Sequence, residues 1–326
     1  MFDRLDPLDR RLLDEFQRDL PLVPRPFAAI GGALGMAEDE VIARLSHLQA
    51  RAMIARVGAT VRPNTAGAST LAAMAVPEAR IEEVAAIVGA EPGVNHSYLR
   101  EDGWNLWFVA TAPDAAALDA VLARIGRATG LRVLDLRLVR PFNIDLGFRL
   151  AGAGAMPAPR PLAAERMGES DRPILQALTT GLPLVPRPFA ALAESLGRGE
   201  AEVIARIAEL SQAGILTRVG VIVRHRAVGW SANAMVVWAL PEDRIAAAGA
   251  ALARHPGITL CYQRRTVPGV WDYPLYSMIH ARSRAEALAV LAGAAALPEL
   301  AGATHRALFS TRCFKQTGAL LKADAA

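Results

Sequence analysis

The sequence predicts an α+β protein made of a duplicated unit, in which a winged helix-turn-helix segment precedes a ferredoxin-like βαββαβ domain. The duplication is visible in the string LPLVPRPFA, which occupies residues 20–28 and again residues 182–190. In each copy, apolar residues first recur at helical spacing and then alternate as they do in strands. An apolar fraction of 52% with 21% charged residues is typical of a globular chain with a packed core.

The helix-turn-helix segment of the first copy carries its own start and stop signals. Asp6 or Asp9 can cap a first helix. Pro26 suits the first turn of a second helix, and Gly35 ends that helix. A third helix and a strand follow at residues 38–51 and 54–61. Three short helices and a strand in this order predict a winged helix-turn-helix.

The rest of each copy has the order βαββαβ, which predicts a ferredoxin-like sheet with helices on one face. In the first copy the predicted strands and helices lie at 70–76, 78–89, 94–99, 105–111, 114–129 and 132–139. The second copy repeats this order from residue 234 to about residue 309. Because such sheets commonly pair face to face, we expect the halves to form a pseudo-dimer within the chain. The sequence leaves open whether the fused chain forms a further homodimer.

The domain boundaries follow from these patterns. The predicted helix-turn-helix domains, ferredoxin-like domains and linker lie, in chain order, at 1–64, 65–150, 151–168 (the linker), 169–226 and 227–326. The linker is rich in Ala, Gly and Pro and has no clear period, which is typical of a connecting segment.

Composition predicts a cytoplasmic protein without a membrane segment. The two cysteines, Cys261 and Cys313, provide neither a disulfide framework nor a metal-binding spacing, as expected in a reducing compartment. The N-terminal stretch is charged throughout and lacks the apolar core of a signal peptide. Apolar runs such as residues 232–240 are shorter than the ~18 residues that a membrane span needs.

The predicted recognition helices argue against DNA binding. The net charge of +4 is small for a chain of 326 residues. The turns that would face phosphates contain Glu38, Asp39 and Glu40 in the first copy and Glu200 and Glu202 in the second. Carboxylates there repel phosphate, whereas they stabilise a helix N-terminus through the helix dipole. We therefore expect no DNA partner and a helix-turn-helix that serves as scaffold.

Polar chemistry concentrates on one strand of each ferredoxin-like domain. Because alternate strand residues share a face, His96, Tyr98 and Arg100 are expected to project together, and so are Tyr262 and Arg264. Such a row offers a proton donor, an aromatic surface and an anion clamp. An aromatic-rich loop follows each row. The alternative interpretation is the ordinary polar outer face of a sheet.

A second cationic cluster belongs to the wing strands and the residues that follow them. Arg56 and Arg62 in the first copy match Arg218 and Arg224 in the second. Arginines on one strand face make a binding site for carboxylates, although a solvated strand edge would have the same pattern. His225 follows this cluster in the second copy only. The two halves therefore supply different histidines, as expected for a composite site or an asymmetric pair of sites.

Longer strings resemble known families. The order of modules is similar to that of the leucine-responsive/AsnC transcription regulators. The strings GVNHSYLRED, GWNLWFVATA and RPFNIDLGFRL resemble one subunit type of the sirohaem decarboxylases of haem d1 and alternative haem biosynthesis. The other subunit type is similar to VGVIVRHRAVGWSANAMVVW, CYQRRTVPGVWDYPLYSMIH and the tail FKQTGALL. The resemblance covers essentially the whole chain and indicates a fusion of both subunits.

This resemblance implies removal of carbon dioxide from the C12 and C18 acetate side chains of sirohaem, giving didecarboxysirohaem, with no cofactor besides the iron tetrapyrrole substrate. The expected proton donors are His96 with Tyr98 and His225 with Tyr262. As an alternative, one of the two histidines ligates the substrate iron. The expected substrate-binding residues are Arg56, Arg62, Asn95, Arg100, Trp104, Arg218, Arg224, Arg264, Trp271, Tyr273, Tyr276 and Lys315.

Two other functions stay open at this point. A transcription regulator of the AsnC type, with sheet domains that sense a small ligand, predicts salt-dependent DNA binding. A tetrapyrrole carrier without catalysis predicts that sirohaem binds and is released unchanged.

Overall fold

The structure is a computed structural model that describes residues 2–144, 147, 150 and 161–320. The chain divides into two compact units, each with segments from both copies. Unit 1 comprises Met1–Ala66 and Gly147–Gly229, and unit 2 comprises Gly67–Leu146 and Trp230–Ala326. The two helix-turn-helix segments therefore share unit 1, and the two ferredoxin-like domains share unit 2. Most of the predicted linker, residues 151–160, lies outside the described residues.

The first copy has the predicted order of elements. Its helix-turn-helix consists of α1 (Pro7–Glu15), α2 (Pro26–Leu34), α3 (Glu38–Ala50) and the wing strand β1 (Ile54–Val61). Its ferredoxin-like domain consists of β2 (Ala68–Met74), α4 (Ile81–Ala90), β3 (Val94–Arg100), β4 (Leu106–Ala112), α5 (Ala115–Thr129) and β5 (Val133–Asn143). The Asp6 carboxylate caps α1 by accepting a hydrogen bond from the Leu8 backbone N–H. Gly35 ends α2 with φ 71°, a left-handed conformation that favours glycine.

The second copy repeats this order. Its helix-turn-helix consists of α6 (Arg172–Thr180), α7 (Pro188–Ser195), α8 (Glu200–Gln212) and β6 (Leu216–Val223). Its ferredoxin-like domain consists of β7 (Ala232–Ala239), α9 (Glu242–Arg254), β8 (Ile258–Arg264), β9 (Leu275–Ala281), α10 (Arg284–Ala295) and β10 (Thr304–Gln316). The predicted α+β fold with a duplicated unit is confirmed. Among the described helices, none has the length and apolar character needed to cross a bilayer.

In unit 1 the wing strands β1 and β6 form an antiparallel two-stranded ribbon. Gly58 lies opposite Gly220 at its centre. A Cβ atom at Gly220 would lie 2.5 Å from the carbonyl oxygens of Phe16 and Gln17, just after α1. A Cβ atom at Gly58 would collide with the carbonyl oxygen of Leu178 in α6. Both glycines are therefore required, because the backbone of each copy packs directly on the ribbon.

In unit 2 the two ferredoxin-like sheets form one closed barrel with the strand order β10-β3-β4-β2-β5-β8-β9-β7. The last strand of each copy closes the barrel, because it pairs with one strand of its own copy and one strand of the other. Residues 304–309 of β10 pair with β7, and residues 310–316 pair with β3. Residues 133–137 of β5 likewise pair with β2, and residues 138–143 pair with β8. The expected face-to-face pairing is thus incomplete, because the long last strands also join the sheets edge to edge.

Three apolar cores stabilise unit 2. Helices α4 and α5 cover the outer face of the first sheet, and α9 and α10 cover that of the second. Side chains from both copies fill the inside of the barrel: Leu71, Ala73, Trp107, Leu134, Leu136, Met235, Val237, Tyr262, Trp271, Tyr276, Met278 and Leu308. Strand residues alternate between the outer and inner faces of the barrel. A polar residue at an inward-facing position therefore places its functional group inside the barrel.

Candidate functional sites

Two arginines occupy equivalent places on the ribbon of unit 1. Arg56 lies opposite Ile222 and Arg218 lies opposite Thr60, on either side of the central glycine pair. Residues directly opposite each other in an antiparallel pair share a face, so both arginine side chains leave the same face of the ribbon. Arg218 is only 5% exposed. The sequence-predicted cluster thus brings Arg56 and Arg218 together.

Burial and a neighbouring like charge both act on Arg56. Burial, together with the positive charge of Arg218, lowers the pKa of Arg56 to about 10. Arg56 donates one hydrogen bond from Nη2 to the Ala59 carbonyl oxygen, at 3.1 Å. Its Nε atom is buried and has no hydrogen-bond partner among the described residues. A carboxylate would relieve both the charge repulsion and the unsatisfied donor.

The remaining unit 1 candidates lie beside the ends of the wing strands. Burial lowers the pKa of Arg62. Arg224 donates its backbone N–H to the Met53 carbonyl oxygen, at 2.8 Å, and its Nε atom is buried without a partner among the described residues. His225 is 5% exposed and begins a one-turn 3₁₀ helix, His225–Val228. The second copy therefore has a buried imidazole directly after a half-buried arginine.

In unit 2, the polar row on β3 has the predicted arrangement. The His96 Nδ1 atom lies 3.4 Å from the Tyr98 hydroxyl, and the two rings are nearly parallel, at 16°. The guanidinium carbon of Arg100 lies 5.6 Å from the centroid of the Tyr98 ring. Imidazole, phenol and guanidinium are thus neighbours. The imidazole and the phenol are within the outer limit of hydrogen-bond distance of each other.

Arg100 and Arg264 make equivalent contacts at the ends of β3 and β8. Arg100 Nη1 donates to the Leu308 carbonyl oxygen at 3.0 Å, and Arg264 Nη1 donates to the Leu136 carbonyl oxygen at 2.7 Å. Each arginine therefore binds the last strand of the other copy. Arg264 also lies 4.6 Å from the centroid of the Tyr262 ring, and burial lowers the pKa of Arg264.

Aromatic side chains predicted to bind substrate divide into core and edge residues. Trp271 and Tyr276 are buried inside the barrel, where Trp271 Nε1 donates to the Tyr276 hydroxyl at 2.7 Å. Burial raises the pKa of Tyr276, so its phenol is neutral at physiological pH. Trp104 and Tyr273 pack against this core and are only partly buried. Of these aromatic residues, the edge pair is the more accessible to a ligand.

Two further candidates are held by the protein itself. Asn95 is 3% exposed, and its Nδ2 atom donates to the Thr111 hydroxyl at 3.4 Å. Lys315 Nζ donates to the carbonyl oxygens of Gly89 and Glu91, at 2.8 and 3.2 Å, at the C-terminus of α4. Burial lowers the pKa of Lys315. The structure thus gives Lys315 a helix-capping contact and does not join it to the arginines.

The predicted pairing of His225 with Tyr262 involves residues of different units, since His225 belongs to unit 1 and Tyr262 to unit 2. The structure also adds residues that sequence reasoning missed. His280 and Asn233 form hydrogen bonds beside Arg100 in the barrel. A signal was present in the alignment of the copies, because His280 replaces Thr111 of the first copy.

The acidic starts of the recognition helices are paired within the protein. Arg25 forms an ion pair with Glu38 at the start of α3, and Arg187 forms the equivalent ion pair with Glu200 at the start of α8. These arginines come from the repeated LPLVPRPFA string, so both copies keep the same contact. The carboxylates act as helix-terminus partners, which favours the scaffold interpretation over DNA recognition. Within the described part of the chain, no cluster of His, Cys, Asp and Glu could hold a metal ion.

The fold and these sites define a duplicated helix-turn-helix protein with AsnC-like ligand-binding domains and buried arginines suited to a polyanion. The family described as "AsnC-like ligand binding domain" matches residues 66–142 and 227–315. The "Siroheme decarboxylase NirDL-like HTH domain" matches residues 9–54 and 171–216. The "Siroheme decarboxylase NirDL subunit" of Paracoccus pantotrophus is 66% identical over 99% of both chains. The chain therefore belongs to the siroheme decarboxylase NirDL family.

Two further relatives support this assignment. The "Siroheme decarboxylase NirD subunit" of Stutzerimonas stutzeri is 51% identical over 45% of this chain and 96% of its own length. That separate subunit is therefore similar to one half of the present chain. The crystal structure of the siroheme decarboxylase NirDL in co-complex with an iron-uroporphyrin III analogue has a TM-score of 0.66 and 27% identity, over 96% of this chain and 92% of that one. The regulator interpretation is not favoured.

Proposed function

We propose that this chain removes carbon dioxide from the C12 and C18 acetate side chains of sirohaem and releases didecarboxysirohaem. The observation that carries the proposal is the pair of Arg56 and Arg218, two like-charged guanidiniums that share one partly buried face of the ribbon. A guanidinium binds carboxylates through its planar fork of donors, and a tetrapyrrole with many carboxylates supplies such anions. The family relationship gives the substrate, since a NirDL relative binds an iron-uroporphyrin III analogue.

The reaction needs a proton donor and an electron sink. Protonation of a pyrrole ring carbon makes the ring an electron acceptor, and the bond between the acetate methylene and its carboxylate then breaks. The electron pair forms an exocyclic double bond, which a second proton converts to a methyl group. Loss of the first proton restores the aromatic ring. Each cycle consumes one proton and releases one carbon dioxide, so the substrate ring itself serves as the electron sink and no additional cofactor is required.

We assign the proton transfers to the histidines and tyrosines. His96 and Tyr98 are 3.4 Å apart and form one donor pair, in which the phenol can return a proton to the imidazole. His225, which is buried and follows Arg224 in the chain, is the second histidine donor, and Tyr262 is a further donor in unit 2. The alternative role, ligation of the substrate iron by His96 or His225, uses the same imidazoles in their neutral form.

Arginines and aromatic side chains hold the substrate in this proposal. Arg56, Arg62, Arg218 and Arg224 bind carboxylates in unit 1, and Arg100 and Arg264 bind them in unit 2. A guanidinium presents a planar fork of donors that matches a carboxylate. Trp104 and Tyr273, at the edge of the aromatic core, provide a surface for the flat ring.

The test is anaerobic incubation of the protein with sirohaem, followed by mass analysis of the pigment. We expect loss of two carboxyl groups per molecule. His96→Ala and His225→Ala should each reduce the rate by about 10²–10⁴-fold, the usual contribution of a general acid or base. His47→Ala, which removes an exposed imidazole on α3, is the matched control and should leave the rate unchanged.

Two results would contradict the proposal. Pigment that binds and is recovered unchanged would make the chain a tetrapyrrole carrier. A double variant, His96→Ala with His225→Ala, that still removes both carboxyl groups at the wild-type rate would end the assignment of the proton donors.

A further inference from the structure

Four residues of the barrel form a continuous hydrogen-bonded chain that ends at Arg100. The Thr259 hydroxyl lies 2.7 Å from His280 Nδ1, and His280 Nε2 lies 2.7 Å from Asn233 Nδ2. Asn233 Oδ1 accepts a hydrogen bond from Arg100 Nη1 at 3.1 Å. The residues come from β8, β9 and β7 of the second copy and from β3 of the first. None of Thr259, His280 and Asn233 was among the sequence-predicted site residues.

One carbonyl oxygen fixes the direction of every bond in this chain. The Thr259 hydroxyl donates its single proton to the Met278 carbonyl oxygen, at 3.1 Å. It must therefore accept a proton from His280 Nδ1. The neutral ring then has a lone pair on Nε2, which accepts from the Asn233 amide nitrogen. The Asn233 oxygen is consequently the atom that faces Arg100, as the guanidinium requires.

We propose that His280 is a positioning residue, which acts through Asn233 to fix the Arg100 guanidinium for binding a substrate carboxylate. This inference rests on the proposed function, because it assigns Arg100 to the substrate. Asn233 Oδ1 and the Leu308 carbonyl oxygen both accept from Arg100 Nη1, at 3.1 and 3.0 Å. Two acceptors on one nitrogen fix the plane of the guanidinium beside the Tyr98 ring. Bidentate recognition of a carboxylate depends on such a fixed plane.

The first copy does not repeat this arrangement. The positions equivalent to Asn233 and His280 are Ser69 and Thr111, which are too short to continue the same chain. Arg264, the counterpart of Arg100, has the equivalent bond to a strand carbonyl oxygen, that of Leu136. We call the hydrogen-bonded chain from Thr259 through His280 and Asn233 to Arg100 the relay. The relay distinguishes Arg100 chemically from Arg264, although the two arginines have equivalent positions in the fold.

The consequence of removing His280 follows from the amide of Asn233. Without an acceptor at Nε2, the amide can rotate and turn its NH₂ group toward the guanidinium. Two donors then face each other, and Arg100 loses one of its two fixed acceptors. Glutamine at position 280 places a carbonyl oxygen near the former Nε2 atom, so it can keep the amide in its native orientation. Phenylalanine cannot.

The experiment compares His280→Phe and His280→Gln in steady-state turnover of sirohaem. We expect His280→Phe to raise KM about tenfold with kcat within about twofold, because a misplaced guanidinium weakens binding more than chemistry. His280→Gln should restore most of the loss. His305→Phe, at an exposed position on β10, is the matched control and should leave both constants unchanged. In an Arg100→Gln background, His280→Phe should have no further effect.

A second readout does not depend on turnover. In the ¹⁵N spectrum of histidine-labelled wild type, the ring assigned to His280 by comparison with His280→Gln should be neutral and protonated at Nδ1. A ring protonated at Nε2 would overturn the relay. So would an unchanged KM in His280→Phe, or a full effect of this variant in the Arg100→Gln background.

These outcomes separate the two proposals. If the wild type does not convert sirohaem, the proposed function fails, and the relay is then judged by absorbance titration with iron-uroporphyrin III. About tenfold weaker binding by His280→Phe than by the wild type would still support it. Equal binding by the two proteins would contradict it.

Discussion

Arg56 and Arg218 share one face of the wing ribbon, and burial together with the charge of Arg218 lowers the pKa of Arg56 to about 10. A base whose pKa falls on folding reduces the stability of the fold as long as it is charged. The burial of a charged Arg56 beside Arg218 therefore opposes the folding of unit 1. Binding sites commonly retain such unfavourable charges because a ligand of opposite sign offsets them.

Arg56→Met should stabilise the free protein and weaken substrate binding. Methionine keeps much of the side-chain volume and removes the charge, so the free energy of unfolding should rise by about 1–3 kcal/mol. Urea denaturation monitored by fluorescence measures this change, and titration with sirohaem measures the loss of affinity. Arg51→Met, at an exposed position after α3, should change neither quantity by more than about 0.5 kcal/mol. A destabilised Arg56→Met would show that the arginine is structural.

Asp171→Asn should destabilise unit 1 in a pH-dependent manner. Arg206 donates two hydrogen bonds of 2.7 Å to the Asp171 carboxylate, and these bonds lower the pKa of Asp171. The stabilisation is therefore present above the unfolded pKa of about 3.9 and is lost as the pH falls below it. At pH 7 we expect the free energy of unfolding to fall by about 2–4 kcal/mol. Below about pH 4, the difference in the free energy of unfolding between Asp171→Asn and the wild type should become smaller.

The first copy provides the control for this measurement. Asp9 pairs with Arg44, which also contacts Asp6 and Glu40, and this network is more exposed than the pair of Asp171 and Arg206. Asp9→Asn should therefore reduce the free energy of unfolding by about 1 kcal/mol or less. Equal losses for the two variants would mean that burial does not decide the strength of these pairs.

Gly220→Ala should disrupt the contact between α1 and the ribbon. The added Cβ atom would lie 2.5 Å from two backbone carbonyl oxygens, which cannot move without shifting the chain after α1. We expect a loss of about 2–4 kcal/mol in the free energy of unfolding. Gly32→Ala, inside α2 with nothing within 4 Å of the added atom, should instead stabilise by about 0.5–1 kcal/mol. A stable Gly220→Ala would contradict the close packing of these backbones.

Tyr276→Phe tests the hydrogen bond inside the barrel. It leaves the Trp271 indole N–H buried without its acceptor, so we expect a loss of about 1–3 kcal/mol in the free energy of unfolding. A double-mutant cycle with Trp271→Phe should give a coupling energy of about 0.5–3 kcal/mol. Additive losses in the two variants would mean that the barrel core is held by apolar packing alone.

Local sequence patterns predicted the order of elements well and their ends less well. The helix expected at 78–89 begins with a separate 3₁₀ turn, and α4 itself starts at Ile81. The strand expected at 132–139 extends to Asn143 as β5. Its additional residues pair with β8 of the other copy, so no periodicity within the first copy could indicate them.

The sequence by itself determined the duplication, the α+β class, the family resemblance, and the row of His96, Tyr98 and Arg100. These features depend on local spacing, since a strand places alternate residues on one face whatever its neighbours are. Only the tertiary structure decided that Trp271 and Tyr276 fill the barrel, that Arg56 meets a like charge, and that His280 reaches Arg100 through Asn233. Those contacts join residues far apart in the chain, and strand register between the two copies brings them within bonding distance.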